Sequence, residues 1–332
     1  MERIRPIGET AHTNSESGEG EELVVRSHIP AAQAERELTP DALMIRRYLD
    51  SIDEQALEEV IADTLRKTGR DESIQNIIPL NRIHVIDDET QGGLGGYGDG
   101  KIILNAHYLK DNPTEVLHTL IHEQLHATSD QGFERDPATY APLSRVGLHR
   151  QSSWGDETGE ELFLSNQYKV ANEGMTEFLT ERITREYLAR TGDTAIYGED
   201  EIENNFERAL FEHGYGQFRA RLELYFIFIS ALADVPRSVI EDTITRAYFR
   251  GGSVLPQEAI DEIEELQPGL ADKIHGLLQD EELDLDNNVL GLVLSINQIT
   301  SLPIEKKNEL LTQAIIFMNE WSKYTNKKQQ AN

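Results

Sequence analysis

The sequence predicts an α+β fold. A small mixed β-sheet lies beside one strongly capped helix, and a mainly helical C-terminal half follows. Three observations carry this prediction. Two short alternating runs, Arg82–Asp87 and Lys101–Asn105, flank a glycine-rich stretch from Gln91 to Gly100. Asn112-Pro113-Thr114-Glu115 combines an N-cap, a proline at the first helical position and a Glu at the third. Almost everything from Glu201 to Lys323 has helical periodicity.

Taken in order, residues 1–38 are rich in Glu, Ser, Gly and Pro and read as a disordered acidic arm. Residues 39–200 are expected to form the core and 201–332 a helical region. Thr39-Pro40-Asp41 starts a helix into Ala42–Leu49, and a second, Glu54–Thr68, closes at Gly69. The helix opened by Asn112 places Leu117, Leu120, Ile121, Leu125 and Thr128 on one stripe. Residues 130–166 show no clear period and read as an extended irregular excursion. Tyr168–Leu188 is helical again, and the apolar-aromatic run Leu222–Phe228 is expected in the core of the helical half.

The chain has 332 residues, 31 basic against 60 acidic side chains, and a net charge of −29. That excess argues against binding to nucleic acid, which needs Lys and Arg on phosphates, and against docking on anionic membranes. No run approaches the roughly 20 apolar residues of a membrane span, and the first residues lack the apolar segment of a secretory signal. The expected location is therefore cytoplasmic, with signal-independent export left open. There is no Cys, so a disulfide framework, a thiolate metal site and a Cys nucleophile are all excluded. Any metal must be held by His and carboxylates. Nothing in the sequence specifies an oligomeric state.

Within the Asn112 helix stands His122-Glu123-Gln124-Leu125-His126, the HExxH pattern. Residues four apart share one helix face, so His122 and His126 can converge on a single ion. Glu123 projects beside that face, where a carboxylate can take a proton from water and pass it to a leaving group.

A third ligand is needed. The metzincin arrangement would place a Gly and a His soon after His126, where Ser129 and Gly132 stand. The run Thr191–Gly198 approaches an aspzincin element but misses its order and spacing, and reads as a turn. The remaining candidate is Asn172-Glu173-Gly174-Met175-Thr176-Glu177. Glu173 can reach the metal, and Glu177, one turn later, can accept the free ring N–H of a ligand His. The competing reading is an exposed acidic helix face.

HExxH on one helix followed by Asn-Glu-Gly-x-x-Glu on a second resembles the gluzincin metallopeptidases, the thermolysin-like group. The short spacing resembles its minigluzincin members. The resemblance, over residues 80–190, implies a zincin-like fold and a Zn2+ ion held by His122, His126 and Glu173. It also implies Glu123 as general base and acid, Glu177 behind the ligands, and hydrolysis of a peptide or protein substrate through a metal-activated water. It further implies that Ile102–Ala106 is the sheet-edge strand to which an extended peptide adds, with Asn105 and Ala106 gripping substrate. The oxyanion-stabilising residue of the larger members has no motif here. Tyr168 is the choice, with His149, Tyr140 and Tyr215 as competitors, and a core-edge tyrosine is an equal reading of Tyr168. A catalytically silent zinc-site protein that binds peptides is the alternative function.

Three further signals are set aside. Gly95–Lys101 has the spacing of a phosphate-binding loop, but Ile102 replaces the magnesium-binding hydroxyl and a strand follows. His118, one turn before His122, reads as a satisfied or solvated side chain. Asp284–Asn288 is similar to a calcium loop but has Val289 and Ser295 where Gly and Glu are required, and reads as a loop between helices.

Overall fold

Thr39 opens α1 (Pro40–Ser51), its side-chain oxygen accepting from the Ala42 amide at 3.2 Å while its hydroxyl donates to Asp87 at 2.6 Å. Asp53 caps α2 (Glu54–Lys67) in the same way, at 3.0 Å from the Ala56 amide. The structure is a computed structural model that describes residues 38–331, apart from 99, 111, 136–141, 156–160, 193–215, 252–256 and 280–284. The acidic arm, Leu38 excepted, lies outside the described residues.

β1 (His84–Ile86), β2 (Gly95–Gly98) and β3 (Lys101–Asn105) form a mixed sheet in the order β1-β3-β2. β1 runs parallel to β3 and β2 antiparallel to it. Ile102 and Leu104 are fully buried on one face of β3. The strand expected at the sheet edge is therefore the central one, with a neighbour on each side. The alternation in Lys101–Asn105 reveals a strand but not its neighbours. Gly95-Gly96-Tyr97-Gly98 has too few side chains to show a period, yet its backbone completes the ladder.

After α3 (Ala106–Leu109), α4 (Pro113–Thr128) starts as predicted: Asn112 Oδ1 accepts from the Glu115 amide at 3.2 Å, and Asn112 Nδ2 donates to the Glu115 carboxylate at 3.4 Å. The predicted apolar stripe is buried throughout.

The excursion expected over residues 130–166 is instead an antiparallel four-stranded sheet, β4 (Gln131–Arg135), β5 (Pro142–Val146), β6 (His149–Gly155) and β7 (Glu161–Gln167), in sequential order. Its strands mix polar residues with unalternated apolar ones such as Leu162-Phe163-Leu164, and a register shift falls at Ser152/Ser153, so no period of two is visible. Gly147 and Leu148 join β5 to β6, with Gly147 at φ +59° as a two-residue hairpin turn requires.

α5 (Lys169–Thr191) is followed by α6 (Gly216–Leu232), α7 (Arg237–Arg250), α8 (Gln257–Leu266), α9 (Leu270–Gln279), α10 (Leu285–Gln298) and α11 (Ile304–Ala331). Leu285–Asn288, expected in a loop, are the first turn of α10, while Asp284 lies outside the described residues. Leu222, Leu224, Tyr225, Phe226 and Phe228 are buried as predicted. One hydrophobic core runs from Ala42 to Phe317, and α5 lies at its centre against α2, α4, α6, α7 and α9. At Gly174 the α5–α6 approach is so close that a Cβ would sit 2.7 Å from the Phe218 carbonyl oxygen. The molecule is thus mixed α+β, with a small mixed sheet and mostly helical content. Among the described residues no helix is long and apolar enough to cross a membrane.

Candidate metal centre

α4 presents His118, His122 and His126 at one-turn intervals, and α5 faces it with Glu173 and Glu177. The His122 and His126 Nε2 atoms lie 3.0 Å apart. Glu173 Oε2 is 3.4 Å from His122 Nε2 and 3.5 Å from His126 Nε2. Two imidazole nitrogens and one carboxylate oxygen therefore form a nearly equilateral triangle. A tetrahedral zinc site with Zn–N about 2.0–2.1 Å has ligand–ligand edges of about 3.3–3.4 Å, so the donor set fits an ion of that size. This largely buried group can hold a metal ion.

The exposed-face alternative fails, since Glu173 and Glu177 retain only 9% and 4% exposure. Glu177 lies behind the triangle. Its Oε1 is 2.8 Å from His122 Nδ1 and its Oε2 is 2.8 Å from His118 Nε2. A carboxylate only accepts, so both ring nitrogens donate to it. Nδ1 of His122 thereby carries a proton, and Nε2 is the nitrogen that faces the triangle. His118 is satisfied, as expected.

Burial raises the Glu173 carboxyl, but the His126 and His122 imidazoles outweigh it and hold the group well below the usual carboxylate range. For Glu177 burial is likewise outweighed, by His118 and His122. Burial alone would lower the His122 imidazole, yet Glu173 and Glu177 drive it well above its ordinary value. Glu123 differs. It is 4% exposed, and burial raises its carboxyl despite opposition from His122 and His126. A carboxyl raised in this way suits a group that must both take and return a proton.

Supporting contacts come from segments the sequence did not mark. Asn172 Nδ2 donates to Glu173 Oε1 at 3.4 Å, and Asn172 Oδ1 accepts from the Leu148 amide at 2.9 Å. The hairpin turn is thus docked on the residue preceding Glu173. The Gly147 amide also donates to the carbonyl of Asp130, just beyond α4, at 2.6 Å. Tyr248 on α7 shares a 2.9 Å hydrogen bond with Thr176, and burial pushes its phenol far up, with Glu173 and Glu123 adding to the shift. No local motif marks Tyr248, because only the packing of α7 on α5 brings it here.

Three predicted site residues are placed elsewhere. Asn105 is 2% exposed and its amide is used within the fold: Oδ1 accepts from Asp88 and His107, and Nδ2 donates to the carbonyls of Asp88 and Gln91. Ala106 is fully buried at the start of α3. Asn105 ends the central strand and Ala106 begins α3, so neither lies on the sheet edge expected of them. Tyr168 precedes α5 at φ +60°, and its hydroxyl is 3.1 Å from His275 Nε2 on α9, toward the helical half. Of its competitors, His149 opens β6 paired with Val146, and Tyr140 and Tyr215 lie outside the described residues. Comparison with known protein families, characterised proteins and solved structures returns no match.

Proposed function

We propose that this protein is a zinc-dependent peptidase of gluzincin type with a zincin-like fold. The observation that carries the proposal is the convergence of His122 Nε2, His126 Nε2 and Glu173 Oε2 within 3.0–3.5 Å of one another. Glu123 adds a buried carboxyl of raised proton affinity beside them. Zinc, when bound, supplies a Lewis acid that polarises a carbonyl and acidifies water.

The chain's own residues do the rest. His122, His126 and Glu173 hold the ion, and Glu177 keeps His122 in the ligating tautomer. Glu123 takes a proton from the attacking water and returns it to the leaving amine. β2 supports an extended peptide as substrate. One of its sides pairs with β3, and among the described residues it is an edge of its sheet on the other. Tyr97 on β2 accepts a hydrogen bond at 3.1 Å from Gln131 Nε2, which also donates to the His126 carbonyl at 3.2 Å. This contact ties β2 to the end of α4 that carries His126, which supports an extended peptide on that edge as the substrate.

The test is Glu123→Gln assayed on a mixed peptide library. Zinc content should equal that of wild type while hydrolysis falls by about 10²–10⁴-fold, the range of general acid–base catalysis. Wild-type protein that binds zinc and cleaves nothing would favour the silent peptide-binding module instead.

A further inference from the structure

His118 has no part in the chemistry described above, yet it makes one of the shortest polar contacts near the site. The HExxH pattern accounts for two imidazoles on α4. The third, one turn earlier, points its Nε2 at Glu177 Oε2 from 2.8 Å. The other oxygen of the same carboxylate carries His122 Nδ1, also at 2.8 Å. The side chain of His118 is 22% exposed and that of Glu177 6%. The contact is therefore largely shielded from water but lies at the rim of the core.

A carboxylate that accepts at one oxygen can rotate about its terminal torsion, which is broad for Glu. A second donor on the other oxygen removes that freedom. Glu177, on a different helix, is thus clamped between two imidazoles of α4. Through that clamp the ring plane of His122 is set from two hydrogen bonds away. The second donor also draws negative charge from Glu177, so less is passed to His122 and on to an ion at its Nε2.

We propose that His118 is a positioning residue of the metal centre, holding Glu177 in the rotamer that orients His122 toward the ion. The inference rests on the reading of His122, His126 and Glu173 as metal ligands. Its consequence is a line of three histidines in which two bind the ion and the third fixes the geometry of the first.

The experiment compares wild type with His118→Leu, His118→Gln and His118→Ala, stripped with a chelator and titrated with zinc against a chromophoric competitor. Circular dichroism and urea midpoints, both in chelator, report whether each variant folds. Gln keeps a donor near the position of Nε2, Leu keeps bulk without a donor, and Ala is the smaller substitution should Leu not fold. Loss of the donor should weaken zinc binding by about 10- to 100-fold, the usual cost of removing a partner behind a ligand, with Gln restoring most of it.

A second readout is the imidazole N–H proton of His122. It should be sharp and slow to exchange in wild type and in the Gln variant, and broadened in the Leu and Ala variants. Folded Leu and Ala variants that bind zinc as wild type does would overturn the inference alone. So would a Gln variant as weak as Leu, since the loss would then be one of packing. Wild type that binds no zinc would overturn the inference together with the metal-site reading.

Discussion

Two clusters of charge meet along α5, the first buried and the second partly exposed, and their carboxylates face different cations. Around Glu173 and Glu177 the partners are imidazoles of α4. Around Glu181 and Glu223 they are guanidiniums. Arg219 lies 3.6 Å from Glu181 and donates to Glu223 at 2.8 Å, while Arg237 grips both oxygens of Glu223 and also reaches Glu241. Arginine stays charged and has no lone pair, so each carboxylate in the second cluster faces a permanent cation that cannot be exchanged. Imidazole can give up its proton and offer a lone pair, so the first cluster can trade protons for a metal ion. α5 thus contributes carboxylates to both clusters on successive turns, Glu173 and Glu177 toward the imidazoles of α4 and Glu181 toward Arg219 of α6. The choice is made by the basic residue that each partner helix presents.

Metal should separate the two clusters most strongly. Zinc at 100 times its dissociation constant should stabilise the wild type by about 2.7 kcal/mol relative to chelator. His126→Ala should abolish that shift, whereas Glu223→Ala should leave it intact. Urea unfolding with and without zinc measures both, and a metal-dependent loss on Glu223→Ala would break the comparison.

Gly174→Ala should disturb both clusters together. The added methyl meets the Phe218 carbonyl at 2.7 Å, beside Arg219 and one residue from Glu173. Overpacking of this kind costs about 2 kcal/mol, and the displaced Glu173 should weaken zinc binding as well. Stability measured in chelator and zinc affinity measured separately should fall in the same variant. Unchanged affinity would show that Glu173 is held independently of the α5–α6 contact.

Much of the candidate site was legible in the sequence, because His122 and His126 are related by a single helical turn. Glu173 and Glu177 were legible in the same way, as a pair on one face. Their meeting with α4 depends on segments that carry weak signals. The glycines of β2 and the strands β4–β7 have no alternation, yet their backbone pairing builds the hairpin whose turn docks on Asn172. Strand order was equally hidden, which is why Ile102–Ala106, an edge strand by the resemblance, instead covers most of the central β3 and the first residue of α3. The place of Tyr248 and the contact of His118 with Glu177 depend on helix packing, which a local pattern does not record.

Removing one carboxylate from the arginine cluster should have a smaller effect than either change above. Glu223→Gln loses a charge that holds Arg219 and Arg237, and a hydrogen bond between charged groups is worth about 1.5 kcal/mol at the low end, appropriate to a side chain that is partly exposed. The pH dependence sharpens the assignment. Burial raises the Glu223 carboxyl, but Arg237 and Arg219 outweigh it and hold it below its ordinary value of 4.5. A carboxyl depressed in the folded state binds its proton more readily when unfolded. Its stabilisation is therefore complete above the unfolded value and lost as pH falls through the folded one. The stability difference between wild type and Glu223→Gln should be constant from neutral pH down to about pH 5 and shrink below it. Urea midpoints across pH 3–7, taken in chelator so that the imidazole cluster carries no metal, would show it. A difference that persists unchanged at pH 3 would mean that the pair acts through packing rather than charge, and the contrast between the two clusters would lose its electrostatic basis.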